Sequence, residues 1–362
     1  MKISLLSGAY KNAGDFLIVD RCKKLLKNEF PDASITEYKR NIPLDKYVSD
    51  INDTDVLVFA GGPAYVEYLY PEIMPLVKDL DEIKIPFFAM AMGWRGHNGL
   101  PKTIYTQQFS DRTWKLMKRF ERDGFSIGCR DVHTTAMLRH LGIHNTIMTG
   151  CAAWYDINTI NSHAEKYHGG GKIHRILISD PAQKINHNQC IEVIKLIRRL
   201  FPDSEISFVF HRGINEKLAN KVKSMDINIV DISSSKDGFE IYDSCDLHIG
   251  YRVHAHIYNL SHMNRSILIE EDGRGSGVNE SLGLRHITAY DTSRLLFSRN
   301  CLRVANKLGV SLQRAGFICE ELTSYITELE SSNYIQIKWA FNRIQHYYSC
   351  MRKHILELKS LT

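Results

Sequence analysis

A chain of 362 residues, 44% apolar and 24% charged, has room for two buried cores, and its net charge of +5 falls short of the basic excess of a nucleic-acid binder. Eight cysteines lie scattered with no CxxC pair, which argues against a disulfide framework and suits reduced thiols in a cytoplasmic protein. No apolar run is long enough to span a bilayer, and the first residues enter a strand too directly to hold a signal-peptide core.

The first half alternates strand and helix. Ile3 to Ser7 predicts a strand, residues 8–15 a loop, and Asp15 to about Asn28 a helix with Leu17, Ile18, Leu25 and Leu26 among its apolar residues. A loop holding Asn12 and Gly14 before a helix presents free backbone N–H groups that favour an anion. Asp15 in that place also suits an ordinary helix cap. Asp55 to Ala60 is a continuous apolar run, as expected of a buried parallel strand, and Gly61-Gly62-Pro63 follows it. Those glycines either admit a ligand close to the backbone or simply make the turn. Next come a helix over Glu72 to Leu80, a strand over Ile85 to Met92, a helix over Trp114 to Arg122 and a strand over Phe125 to Cys129. A helix capped by Asp131 and a strand over Asn145 to Thr149 complete this half. The alternation predicts a parallel sheet covered on both faces, and no Gly-x-Gly-x-x-Gly follows its first strand, so no dinucleotide site is expected.

Residues 154–172 break the rhythm and hold Gly169-Gly170-Gly171, the best boundary between domains spanning 1–165 and 166–291. Strands then follow at Ile173 to Ser179, Ile206 to Phe210, Ile227 to Ile232, Leu247 to Tyr251 and Ser266 to Ile269, the last of the series. Helices are predicted over Asn188 to Leu200, Gly238 to Ser244 and Val253 to about Met263, and residues 270–277 read as a glycine-rich loop leading to Asn279-Glu280. The fold class is therefore α/β, two doubly wound units in tandem with a cleft between them.

Arg252 and His254 sit where the Leu247 strand turns into a helix, at the carboxyl end that binds ligands in open α/β sheets. A fixed cation two residues from a group titrating near neutrality suits an anionic substrate that must also receive a proton. The plainer reading pairs Arg252 with a carboxylate and makes His254 a satisfied core histidine. His211-Arg212 adds a second histidine and cation at a strand end, or an ordinary surface turn. His248, His254, His256 and His262 crowd this region, but no Asp, Glu or Cys stands at ligand spacing beside them, and strand, turn and helix aim them differently, so no metal is expected.

From Thr292 to residue 362 the pattern is a helical extension. Tyr334, Ile337, Phe341, Ile344, Tyr348, Met351, Ile355 and Leu358 form an apolar stripe with spacings of three and four. It predicts a helix packed back on its own chain or a seam for homo-oligomers. Lys338, Arg343, Arg352, Lys353 and Lys359 make this end basic, which suits peripheral contact with an anionic membrane or an ordinary solvated face.

Several short pieces recur in order over residues 3–285: Asn12-Ala13-Gly14-Asp15, Ala60-Gly61-Gly62, Cys129-Arg130-Asp131 with residues 138–142, Thr149-Gly150-Cys151-Ala152-Ala153, Arg252-Val253-His254-Ala255 and Gly277-Val278-Asn279-Glu280. In these the chain resembles the polysaccharide pyruvyl transferase family, and agreement among many local signals is more specific than any one. The resemblance implies two Rossmann-like domains of the GT-B type. It also implies transfer of the pyruvyl group of phosphoenolpyruvate to a sugar hydroxyl of a cell-surface glycan or its lipid- or nucleotide-linked precursor, with no cofactor beyond that donor. It implies that Arg252 holds the donor's phosphate or carboxylate and that His254 protonates the donor carbon. Asn12, Gly14, Asp15, Gly61, Gly62, His211, Arg212, Gly277, Asn279 and Glu280 are the candidate substrate-binding residues. Members of that family often carry a basic residue after the first strand of the second domain. This chain has Ser179-Asp180-Pro181 there, with Lys184 or Arg212 as replacements. The rival expectations are a glycosyltransferase of the same architecture using a nucleotide-sugar donor, and a non-catalytic member that docks on a partner through the C-terminal stripe.

Overall fold

The structure, a computed structural model, describes residues 1–96, 104–161, 170–234, 237–290 and 315–361. Among the described residues, twelve strands form two six-stranded sheets. The first comprises β1 (Lys2–Ser7), β2 (Ser34–Lys39), β3 (Val56–Tyr65), β4 (Phe87–Trp94), β5 (Ile127–Cys129) and β6 (Thr146–Met148), in the order β2-β1-β3-β4-β5-β6. The second comprises β7 (Arg175–Ser179), β8 (Glu205–Phe210), β9 (Asn228–Asp231), β10 (Leu247–Gly250), β11 (Arg265–Glu270) and β12 (Ile287–Thr288), in the order β12-β11-β10-β7-β8-β9. Every strand pair is parallel. Parallel strands need crossovers, which place helices on both faces and leave the central strands wholly apolar. All eight residues of β4 are buried.

The helices are α1 (Ala13–Glu29), α2 (Val48–Asn52), α3 (Asp111–Arg122), α4 (Val132–His140), α5 (His187–Leu200), α6 (Glu216–Lys223), α7 (Val253–Ser261), α8 (Gly273–Leu282), α9 (Ala315–Ser331) and α10 (Ile335–Ile355). Two tandem doubly wound sheets with a helical C-terminal part is the architecture expected from the sequence. The predicted junctions at 165/166 and 291/292 lie outside the described residues.

Three local expectations are corrected, and one strand that was not expected is present. The helix predicted over residues 72–80 is absent: a single π-type turn, Leu69–Ile73, precedes Pro75, which can supply no N–H inside a helix, and Leu76 takes φ +46. Strand β2 was hidden by its polar residues, which suit a sheet edge. Residues 273–277 form the first turns of α8, capped by Asp272, whose side chain accepts from the Arg274 N–H. Strand β12 follows the strand expected to be last, and is only two residues long.

The apolar stripe of α10 is filled by its own chain. Ile337, Phe341, Ile344, Met351, Ile355 and Leu358 are buried. The helix packs on α7 and α8 from the second half and on α1 and β6 from the first. Its far end reaches under the first sheet, where His354 stacks on Phe88 at 4.2 Å between ring centroids and lies 3.1 Å from the Ala89 carbonyl oxygen through Nε2. Arg352 grips Glu29 with Nε at 2.7 Å and Nη2 at 3.2 Å, and Arg343 donates to the Ser281 carbonyl. The apolar stripe is therefore covered within the chain, and Arg343 and Arg352 of the basic residues are engaged there too. No helix among the described residues is long and apolar enough to cross a membrane.

Candidate active site

In an open parallel sheet the ligand crevice forms at the carboxyl ends of the strands where the strand order reverses. That reversal falls between β1 and β3 in the first sheet and between β7 and β10 in the second. The loop after β1 ends at Asn12, and Gly14 and Asp15, expected in that loop, lie in the first turn of α1, which starts at Ala13. The end of β7 carries Asp180, and that of β10 carries Arg252 and His254.

The two reversal points meet. Ala13 N–H donates to the His211 carbonyl at 3.1 Å, joining the start of α1 to the end of β8. The His254 ring lies directly on the Cα of Gly14, so that any side chain at position 14 would overlap the imidazole. Gly61 and Gly62, at the far end of β3, adopt φ +48 and +78, values that favour glycine. Their buried backbone receives Arg40, whose Nη1 donates to the Gly61 carbonyl at 3.2 Å. Asn12 Nδ2 donates to Asp15 Oδ2 at 3.1 Å. Burial raises the Asp15 carboxyl above its ordinary value, opposed by the charges of Arg40, Arg274 and Arg212 and by the Asn12 bond. Arg40 is itself pulled down by burial, with Asp15 acting the other way.

Arg252 is a charge already paired. Its Nε donates to Asp180 Oδ1 at 2.7 Å and its Nη2 to Oδ2 at 2.5 Å, a bidentate fork on a carboxylate that is itself buried. Burial draws the guanidinium pKa down, but Asp180 outweighs this and holds it above the ordinary value. The plainer reading of Arg252 therefore holds for the structure as it stands, and the unusual Asp180 is its partner. His254 is different. Its Nε2 is shut off from solvent with no hydrogen-bond partner. Burial, followed by the positive charges of Arg130, Arg274 and Arg252, lowers its pKa to about 3. Arg130 is held by Asp131 Oδ2 (3.1 Å) and the Trp94 carbonyl (3.0 Å), and Arg274 by Asp272. The site is thus a neutral imidazole with one orphaned nitrogen, surrounded by guanidinium groups. Such a field attracts an anion, and an anion placed there would raise the imidazole pKa.

Beneath the site runs a buried polar chain that explains the other histidines. Asn279 Nδ2 can only donate, and it does so to Glu270 Oε1 at 2.7 Å, which leaves Asn279 Oδ1 to accept from His256 Nε2–H at 3.2 Å. His256 Nδ1 must then accept from the Ser266 hydroxyl (2.8 Å), which accepts in turn from His248 Nδ1–H (2.7 Å). His248 Nε2 finally accepts from the Ser179 hydroxyl (2.9 Å), and Ser179 Oγ also accepts the Arg252 N–H at 3.1 Å. Both rings are neutral, with burial pushing His256 to about 3 and His248 well below its usual value. The chain locks the N-terminus of α7, and hence Arg252 and His254, to β7 and β11. Among the described residues no group of three or more His, Cys, Asp or Glu side chains converges as a metal would require.

The remaining candidates have other partners. The His211 side chain is a core group, its Nε2 2.7 Å from the Tyr242 hydroxyl and its pKa driven well down by burial. Arg212 is exposed, with its charge acting on Asp15. Lys184 is also exposed, and its charge acts on His187 instead. Gly277 lies inside α8, where a Cβ would come within 2.7 Å of Asp131 Cγ, so it serves the contact between α8 and α4. Asn279 belongs to the buried chain. Glu280 is exposed and pairs with His286 at 3.0 Å. Arg40, Arg274, Asp180 and Asp272 are the charges that residue-by-residue reading assigned no role. Glu271 joins them. It accepts from Ala182 N–H (2.7 Å), Gln183 N–H (3.0 Å) and Asn186 Nδ2 (2.7 Å), pinning the loop after β7, and burial pushes its carboxyl up to about 7.

The family model for polysaccharide pyruvyl transferase matches residues 12–260, from the Asn12 loop through the Arg252–His254 turn. The chain belongs to that family. It is a transferase of the polysaccharide pyruvyl transferase type. No curated protein matches it. It is similar in fold to the S. aureus MnaA–UDP co-structure at 12% identity and a TM-score of 0.46, with 92% of this chain and 97% of that chain covered. It is also similar to UDP-GlcNAc 2-epimerase from Neisseria meningitidis bound to UDP-GlcNAc, at 10% identity and a TM-score of 0.44, with 91% and 100% covered. A third such structure is the wall teichoic acid polymerase TagF, at 11% identity and a TM-score of 0.45, with 98% and 89% covered.

Proposed function

We propose that this transferase moves the pyruvyl group of phosphoenolpyruvate onto two hydroxyls of one sugar in a cell-surface glycan or its lipid- or nucleotide-linked precursor. The observation that carries the reading is His254: a shielded imidazole with an unpartnered Nε2 among Arg130, Arg252 and Arg274. Phosphoenolpyruvate carries a phosphate and a carboxylate, which offset those charges on binding. The imidazole pKa then rises, so the general acid forms where the donor is.

In the proposed reaction the protonated His254 gives its proton to the methylene carbon of the donor. The adjacent carbon becomes an oxocarbenium centre, and a sugar oxygen attacks it. Inorganic phosphate leaves, and the second hydroxyl attacks the same carbon to close a ketal. Two hydroxyl protons are released in all; one replaces the proton given to the methyl group and the other leaves on phosphate. Arg40, Arg274 and Arg212 stand as the cations for the donor's anionic groups, with Arg252 held by Asp180 until donor arrives. Asn12, Asp15, Gly61 and Gly62 shape the facing wall. No cofactor beyond the donor enters the scheme. The proposed place of action is the cytoplasm, where phosphoenolpyruvate is available, on precursors at the inner membrane face.

The test is phosphate release from phosphoenolpyruvate in the presence of glycan acceptors, with mass spectrometry of the acceptor. A product heavier by one pyruvate ketal is expected. Absence of phosphate with every acceptor, together with no donor binding by calorimetry, would remove the reading.

A further inference from the structure

A second cavity opens at the carboxyl ends of β3 and β4, beside the cation cluster. Its volume is about 370 Å³, within the range of small-molecule sites. Tyr68 stands on its rim, 48% exposed, next to Glu67 and Glu72. The neighbouring Glu67 carboxylate raises the pKa of the Tyr68 hydroxyl above its ordinary value. Trp94 forms the floor, its indole N–H donating to Gln107 Oε1 at 2.9 Å, and Gln108 completes the wall. An exposed aromatic face beside amides and carboxylates is the surface that a sugar ring requires. The C–H face of a pyranose stacks on the ring, and the hydroxyls find donors and acceptors at its edges.

The cavity is joined to the chemistry by two contacts. The Trp94 carbonyl accepts from Arg130 Nη2, one of the groups whose charge acts on His254. Gly96 abuts Gly273, where a Cβ on either glycine would come within 3.2 Å of the other's Cα, and Arg274 is the next residue. The floor of the cavity thus runs from the first sheet to the guanidinium cluster. Of the described lining residues, Glu67 and Glu72 are acidic and Arg95 is basic. A carboxylate-bearing sugar would meet repulsion on the rim.

We propose that this cavity is the acceptor subsite and that it takes a neutral, hydroxyl-rich sugar, with Tyr68 as the stacking platform. The inference rests on the donor reading above, since it supplies the hydroxyls that attack. Saturation-transfer NMR with methyl β-galactoside, methyl β-glucoside and methyl α-mannoside tests it, with methyl β-glucuronide as the anionic probe. At least one neutral glycoside is expected to receive saturation and the glucuronide none. Tyr68→Ala and Gln108→Ala are each expected to weaken the neutral probe about 10-fold, with phosphoenolpyruvate affinity, read by calorimetry, unchanged. No binding of any neutral glycoside, equal binding of the glucuronide, or undiminished binding by Tyr68→Ala would overturn the proposal. Sugar binding that follows this pattern without any phosphoenolpyruvate binding would support the subsite while removing the donor reading.

Discussion

Gly14 and His254 touch across the two halves of the molecule, the imidazole seated on the bare Cα of the glycine. Gly14→Ala therefore has a defined consequence: the new methyl group displaces the ring. Misplacing a reacting group by about 1 Å costs on the order of 10²-fold in rate. Circular dichroism should remain unchanged, because alanine is favourable in a helix, while phosphate release from phosphoenolpyruvate falls by about that factor.

His254→Gln removes the acid and keeps a polar side chain of similar reach. Turnover should fall by about 10² to 10⁴-fold, the usual contribution of general acid catalysis. Donor affinity, measured separately, should be retained, since the guanidinium groups that attract the anion remain.

Donor binding should take up protons. In the free protein the His254 pKa lies near 3, so the ring is neutral at pH 7. An anion beside Arg130, Arg252 and Arg274 moves that value upward. Titration calorimetry at pH 7 in buffers of different ionisation enthalpy should show net proton uptake in the wild type and less in His254→Gln. Equal uptake in both would show that His254 is not the group that charges.

Asp180→Asn tests the unusual pair at the end of β7. Breaking a buried ion pair from one side typically costs about 3–5 kcal/mol, so the melting temperature should drop. The same change frees the Arg252 fork from its carboxylate, and phosphoenolpyruvate should bind more tightly to the variant. A weaker donor affinity would mean that Asp180 positions Arg252 for the ligand and does not compete with it.

The buried chain fixes tautomers that NMR can read. Nitrogen shifts should report His248 protonated at Nδ1 and His256 at Nε2. Both folded pKa values are depressed from 6.5, so the stability these rings contribute is complete above pH 6.5 and is lost as pH falls toward the folded values, about 3 for His256. Glu271 acts in the opposite sense: its raised carboxyl contributes below its ordinary value and loses that contribution as pH rises through about 7. Melting temperature should accordingly fall between pH 6.5 and 4.

The alternation of apolar runs and amphipathic helices was enough to read both parallel sheets, because buried parallel strands leave an unmistakable apolar signature. It was enough to place Arg252 and His254 at a strand end, because that turn is local. It did not reveal Asp180 as the partner of Arg252, a contact spanning 72 residues that only the β7–β10 pairing creates. Arg40 was likewise invisible: it follows a polar edge strand and reaches the site because Gly61 and Gly62 turn their backbone toward it. The helix expected over residues 72–80 fitted an apolar period that Pro75 forbids. Gly277 and Asn279 stood in a motif and were read as ligand contacts, yet in the structure one spaces two helices and the other anchors a hydrogen-bond chain.

The anchoring of α10 has a mechanical consequence. The helix crosses from α7 and α8 to the underside of β4 and β5, and His354 and Glu357 close onto Ser126 near its end. One stiff rod is thus fastened to both lobes, so a hinge motion of one lobe against the other must bend that rod or pull one of its ends free. The enzyme in this sense carries its own strap, which keeps the two halves of its catalytic apparatus in register.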